Sequence, residues 1–170
     1  MPISMYQASV PVLTRGLAIL STLIDKGAAH AAEHKLDPAS LVNGRLAPDM
    51  LPLSGQVQRA SDTAKFAVVR LTGEPAPSFA DEETTLDQLR ERCARTISFL
   101  EKVRPDVFEG SEARTISFGG DTKLTAPGDA YLLSFALPNF FFHVTTAYDI
   151  LRHMGVAIGK RDYLGRFDRA

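Results

Sequence analysis

Two polar residues stand where an apolar stripe is due. Leu132, Ala136, Asn139, His143, Ala147, Ile150 and Met154 recur at steps of three and four, the spacing of one helix face. Asn139 and His143 are four apart, so their side chains stack on the face turned to the core. A polar group buried there needs partners. The pair could hold a ligand or a metal ion inside a helical bundle. Alternatively, His143 is a core histidine satisfied by a carbonyl or by a side chain of a facing helix.

Gln56 is the next candidate. It lies beside Leu53 and Ala60, at the edge of the stripe Leu53, Val57, Ala60, Ala64, Ala67 and Leu71. From there it could reach toward His143, or simply mark the boundary of the stripe. Gln58 and Asp62 fall farther off and are expected to be more exposed. Arg45 and Asp49, in Asn43-Gly44-Arg45-Leu46-Ala47-Pro48-Asp49-Met50, could line the mouth of a pocket. They could equally tie down the connector as a salt bridge, with Asp49 as a helix cap. Cys93 sits on a third stripe, with Leu86, Leu89, Ile97 and Leu100, and reads as core packing. His30 and His34 are four apart but lack an evident third ligand, and His153 falls near a helix end. No CxxC, HExxH, GxGxxG, Walker loop or GxSxG is present.

The elements that must position these residues are mostly helices. The spacing predicts four, over about 1–33, 50–72, 84–104 and 129–154, to within a few residues at each boundary. Pro11 either kinks the first or marks where it becomes regular, and Pro138 predicts a kink or brief break in the last. A short helical turn is expected at Ala39–Val42. Thr84 or Thr85 is expected to cap the third helix, Asp129 to cap the fourth, and Gly155 to stop it. Two β-favouring runs around Gly119-Gly120 predict a hairpin near 114–125 that lies on the helices. Phe140, Phe141 and Phe142 point three ways around a helix. At least one must therefore pack on the hairpin, the tail or a second subunit.

The 170 residues fit a single all-α domain over 1–170 with the hairpin before the last helix. A net charge of -1, from 19 basic and 20 acidic residues, carries no nucleic-acid footprint. There is no continuous run of apolar residues long enough for a membrane span, and the first residues do not read as a secretory signal. One cysteine is compatible with a cytoplasmic setting.

Three segments carry a resemblance. They are Arg45-Leu46-Ala47-Pro48-Asp49-Met50, Gln56-Val57-Gln58, and the long run from Pro138-Asn139-Phe140-Phe141-Phe142-His143 through Leu151-Arg152-His153-Met154-Gly155-Val156. Together they resemble a bacterial family known as domain of unknown function 1993, over nearly the whole chain. That family is similar to the DinB/YfiT superfamily of four-helix bundles with up-down-down-up topology, so the resemblance implies a DinB-like bundle. Many DinB-like proteins hold a divalent metal with three histidines, one from the second helix and an HxxxH pair from the fourth. The resemblance puts Asn139 and His143 at the HxxxH positions and leaves the second helix without a histidine, with Gln56 or Gln58 nearby. Amides are poor ligands for zinc-like ions. The expectation is therefore no bound metal or other cofactor. Asn139, His143, Gln56, Asp49 and Arg45 would instead surround a polar pocket for an unknown small molecule, and the chain would pair as a homodimer. A DinB-like metal-dependent enzyme, a thiol transferase or hydrolase, is the alternative.

Overall fold

Ser4 starts the first helix. Its hydroxyl accepts from the Gln7 N–H, while the Gln7 side chain accepts from the Ser4 N–H. The computed structural model describes residues 3–165. Helix α1 (Met5–His34) runs through Pro11 without ending there, so its regular part precedes the proline. After α2 (Pro38–Val42), capped by Asp37, come α3 (Leu53–Thr72) and α4 (Leu86–Leu100). Strands β1 (Thr115–Phe118) and β2 (Leu124–Pro127) pair antiparallel. The chain then passes through α5 (Gly128–Tyr131), a π-helical turn at Leu132–Ala136, α6 (Leu137–His153) and α7 (Lys160–Leu164). Residues 166–170 of the basic, aromatic tail lie outside the described residues.

The four expected helices are present, with corrected ends. The second begins at Leu53, not 50, because Pro52 is extended. The third ends at Leu100, not 104. Arg104 precedes a proline and is extended, and Pro105–Phe108 forms a separate 3-10 turn. Thr85 caps α4 through a reciprocal bond with Gln88. Asp129 lies inside the first turn of its helix, not at the cap, which is Pro127. The hairpin's second strand sits at 124–127, running two residues past the expected span of about 114–125. Its connection is a longer loop over 119–123, with positive φ at Gly119, Gly120 and Lys123. Pro138 does perturb the last helix. A proline clashes with the carbonyl four residues back, and the π-helical turn lies where that carbonyl falls.

α1 and α3 each pack against both α4 and α6. Contacts set the directions. Gly16 meets Phe140 and Gly27 meets Leu151, the same interval along both helices, so α1 and α6 run parallel. A Cβ on Gly16 would stand 2.4 Å from the Phe140 ring, so only glycine lets these helices approach. Gln56 meets His143 and Thr63 meets Asn139, so α3 and α6 run antiparallel. The connector over 73–85 doubles back along α3. Phe79 lies by Lys65, Asp81 by Arg59 and Glu83 by Gln58. Helix α4 therefore starts beside the first half of α3 and runs parallel to it, which completes an up-down-down-up bundle.

Arg92 holds that connector. Its fully buried guanidinium donates to Ser61 Oγ (3.0 Å), the Ala80 carbonyl (3.0 Å), Asp81 (2.9 Å), Glu83 (3.0 Å) and Asp62 (3.0 Å). Arg59 pairs with Asp81 and Lys65 with Asp62, so three cations face three carboxylates. Burial works against charge on Glu83. Hydrogen bonds from Gln58 and Arg92 outweigh it and hold its pKa below the ordinary value.

By length and mean hydropathy (1.3 over its best window), α1 could cross a membrane. Its apolar stripe, Val10, Leu13, Leu17, Leu20 and Ile24, is instead buried in the bundle core. Of the three phenylalanines, Phe140 is core, Phe141 is partly exposed and lines a cavity together with Ile19, Tyr163 and Leu164, and Phe142 is exposed.

Replacing Arg92 by methionine leaves Glu83 with no cation among the described residues, while Asp62 keeps Lys65 and Arg59. The expected cost is about 3–5 kcal/mol, read from urea unfolding midpoints at neutral pH. A change below about 1 kcal/mol would contradict this role.

Candidate functional site

Helix α6 carries Asn139 and His143 on the face that meets α3, and the antiparallel pairing sets Thr63 and Gln56 opposite them. Gln56 is 1% exposed, so its amide cannot turn to water. Its Nε2 donates to the Leu51 carbonyl at 3.1 Å, just before α3. A carbonyl can only accept, so this bond turns Gln56 Oε1 toward α6. That oxygen lies 2.8 Å from His143 Nδ1. An amide oxygen can only accept, so Nδ1 carries the proton and Nε2 keeps its lone pair. Asn139 is engaged separately and donates to Thr63 Oγ1 at 2.7 Å.

His143 is half-buried and neutral in character. Burial pushes its pKa below the ordinary value, and the nearby Arg59 charge adds to this. The exposed Phe142 ring stands edge-on to the imidazole, with centroids 5.3 Å apart.

Of the expected site residues, the structure joins Gln56 to His143 and places Asn139 one turn away with its own partner. Arg45 and Asp49 do not enter this hydrogen-bonded set. Arg45 donates to the Met50 carbonyl at 3.1 Å and the Pro48 carbonyl at 3.5 Å. Asp49 is exposed, and among the described residues it makes no side-chain hydrogen bond or ion pair. The connector is thus tied by carbonyls and not by an Arg45–Asp49 salt bridge. Among the described residues, cavities of about 200 to 850 Å3 are lined by other residues.

The donor set does not fit a divalent transition metal. One imidazole is present, its Nδ1 is engaged by Gln56, and the Asn139 amide nitrogen points its proton at Thr63. Among the described residues there is no group of three or more His, Cys, Asp or Glu suited to a metal ion. His30 and His34 stack at 4.2 Å at the end of α1, where His34 Nδ1 meets the His30 carbonyl at 3.0 Å. Cys93 is fully buried, which pushes its thiol up to about 12 and leaves it inert.

Sequence reasoning missed the Arg92 cluster. Gln58 and Asp62 are more exposed than the buried Gln56, as expected, but only half-exposed because Glu83 and Arg92 bind them. The signal was present: Leu89, Arg92, Cys93, Thr96 and Leu100 lie on one helix face, and Asp81-Glu82-Glu83 precedes them.

Up-down-down-up topology with polar α3 and α6 positions facing each other defines a DinB-like helical bundle. The chain belongs to the family described as domain of unknown function (DUF1993), whose model matches residues 5–164. It is similar to a solved DinB family member protein from Shewanella denitrificans. The two share 41% identity with a TM-score of 0.92, over 98% of this chain and 94% of that one. No curated protein matches the chain.

Because His143 resists protonation in the fold, its pH contribution has a definite sign. Its folded pKa lies below the unfolded value of about 6.5. Below that value the unfolded chain takes up a proton that the folded chain refuses, so stability falls as pH drops from 6.5 toward the folded pKa. Above 6.5 this contribution is flat. Chemical unfolding at stepped pH is expected to show the decline, and His143→Gln to reduce it; an unchanged decline in the variant would refute the assignment.

Proposed function

We propose that this chain is a metal-free binding module in which His143 serves as a neutral hydrogen-bond acceptor, since no group of three or more His, Cys, Asp or Glu among the described residues could hold a metal. The observation that carries this reading is the Gln56–His143 bond of 2.8 Å, with Gln56 oriented by the Leu51 carbonyl. It supports a proton on Nδ1 and a bare lone pair on Nε2, toward which a small molecule with an N–H or O–H donor can be held. The exposed Phe142 ring beside the imidazole supplies apolar contact for the same molecule. We place this activity in the cytoplasm, where the single, free Cys93 stays reduced.

Elemental analysis of untagged protein, together with melting temperature with and without chelator, tests the proposal. The expected result is well below one zinc or nickel per chain and no change of melting temperature in chelator. About one metal per chain with a clear loss of stability in chelator would overturn it and favour a metal-dependent enzyme.

A further inference from the structure

A cavity of about 740 Å3 opens between the start of α1, the 3-10 turn at Pro105–Phe108 and the α5 region. None of its lining residues belongs to the His143 pair. Its floor is apolar, from Met5, Tyr6, Ala8, Pro105 and Phe108, and Ile3 and Leu133 stand exposed at its edge. The Tyr6 and Phe108 rings meet edge to face with centroids 5.6 Å apart. The volume lies in the ordinary range for a small-molecule site, about 300–1,000 Å3.

The charge around this floor has one sign. Glu109, Glu112 and Asp129 all line the cavity and are exposed, and among the described residues the lining includes no Lys, Arg or His. Among the described residues none of the three is ion-paired. The start of α1 lies here too and would favour an anion. Its macrodipole amounts to only about half a charge, and the Ser4–Gln7 box already occupies its end. Three full carboxylate charges therefore set the sign of the field.

We propose that this cavity binds an amphiphilic organic cation, an ammonium group on an apolar body. The body lies on Tyr6, Phe108 and Leu133, and the ammonium faces Glu109, Glu112 and Asp129. Aromatic rings and carboxylates together are the surroundings in which an alkylammonium ion is held best. Neutral or anionic molecules of the same shape gain the apolar contact but not the charge.

Titration with octyltrimethylammonium, octanol and octanoate, followed by calorimetry and by amide shifts in labelled protein, tests the assignment. Octyltrimethylammonium is expected to bind most tightly, to weaken as salt is raised, and to shift Tyr6, Phe108 and Leu133. The double variant Glu109→Gln, Glu112→Gln changes two exposed side chains that make no hydrogen bonds among the described residues, so the fold is spared. It is expected to weaken the cation by about tenfold and to leave octanol unchanged. Equal affinity for the three probes, preference for octanoate, shifts confined to other residues, or no binding at millimolar concentration would each overturn the proposal.

Discussion

A fully buried guanidinium sets the topology of this bundle. Taking Arg92 out of water is unfavourable unless every donor is met and the charge is balanced. Ser61 and Asp62 on α3 and Ala80, Asp81 and Glu83 on the connector supply the acceptors and the balancing charge, but only if the connector folds back along α3. That fold-back starts α4 beside the first half of α3 and makes the two helices parallel. A short loop would have made them antiparallel. With α4 so placed, α6 closes the bundle between α1 and α3. The Arg92 network and the α3–α6 seam are therefore linked.

The same accounting governs the α3–α6 seam. A buried polar group left unpaired costs about 1–3 kcal/mol, whereas a made hydrogen bond contributes about 1 kcal/mol. Asn139 and Gln56 would carry that penalty in an apolar interface, but Asn139 is met by Thr63, and Gln56 by the Leu51 carbonyl and His143. His143 is satisfied at Nδ1 and retains one free acceptor. A histidine at either amide position would bring a second nitrogen lone pair to this seam. With amides there, the seam closes on itself and the imidazole keeps only one nitrogen available.

The apolar stripes were legible because each bundle helix hides one face, and repeated steps of three and four reveal it. Asn139, His143 and Gln56 were legible as polar intruders on those stripes. The reach of Gln56 toward His143 was one of two readings open in the sequence and is the one found, but the rest of the pairing across the bundle stayed hidden. Periodicity says which way a residue points along its own helix and nothing of what it meets. Asn139 was therefore expected beside His143 and is found on Thr63. Arg92 lay on a stripe too, but a charged residue reads as surface until its partners are seen, and those partners come from a connector with no periodicity. Arg45 and Asp49 stood out by residue type alone, and their surroundings turn out to be local carbonyls and solvent. The hairpin register shifted because Gly119 and Gly120 belong to a longer loop, and nothing in residue type distinguishes that from a tight turn.

The central claim is that Gln56 fixes His143 with its proton on Nδ1, a state that follows from two hydrogen bonds in series. Long-range nitrogen–proton correlation spectra of the imidazole read the tautomer directly. The account predicts a protonated Nδ1 and a bare Nε2 for His143 near neutral pH, unchanged by stoichiometric zinc and lost in Gln56→Leu. A proton on Nε2, or a zinc-dependent change in the His143 nitrogens at one equivalent, would contradict it.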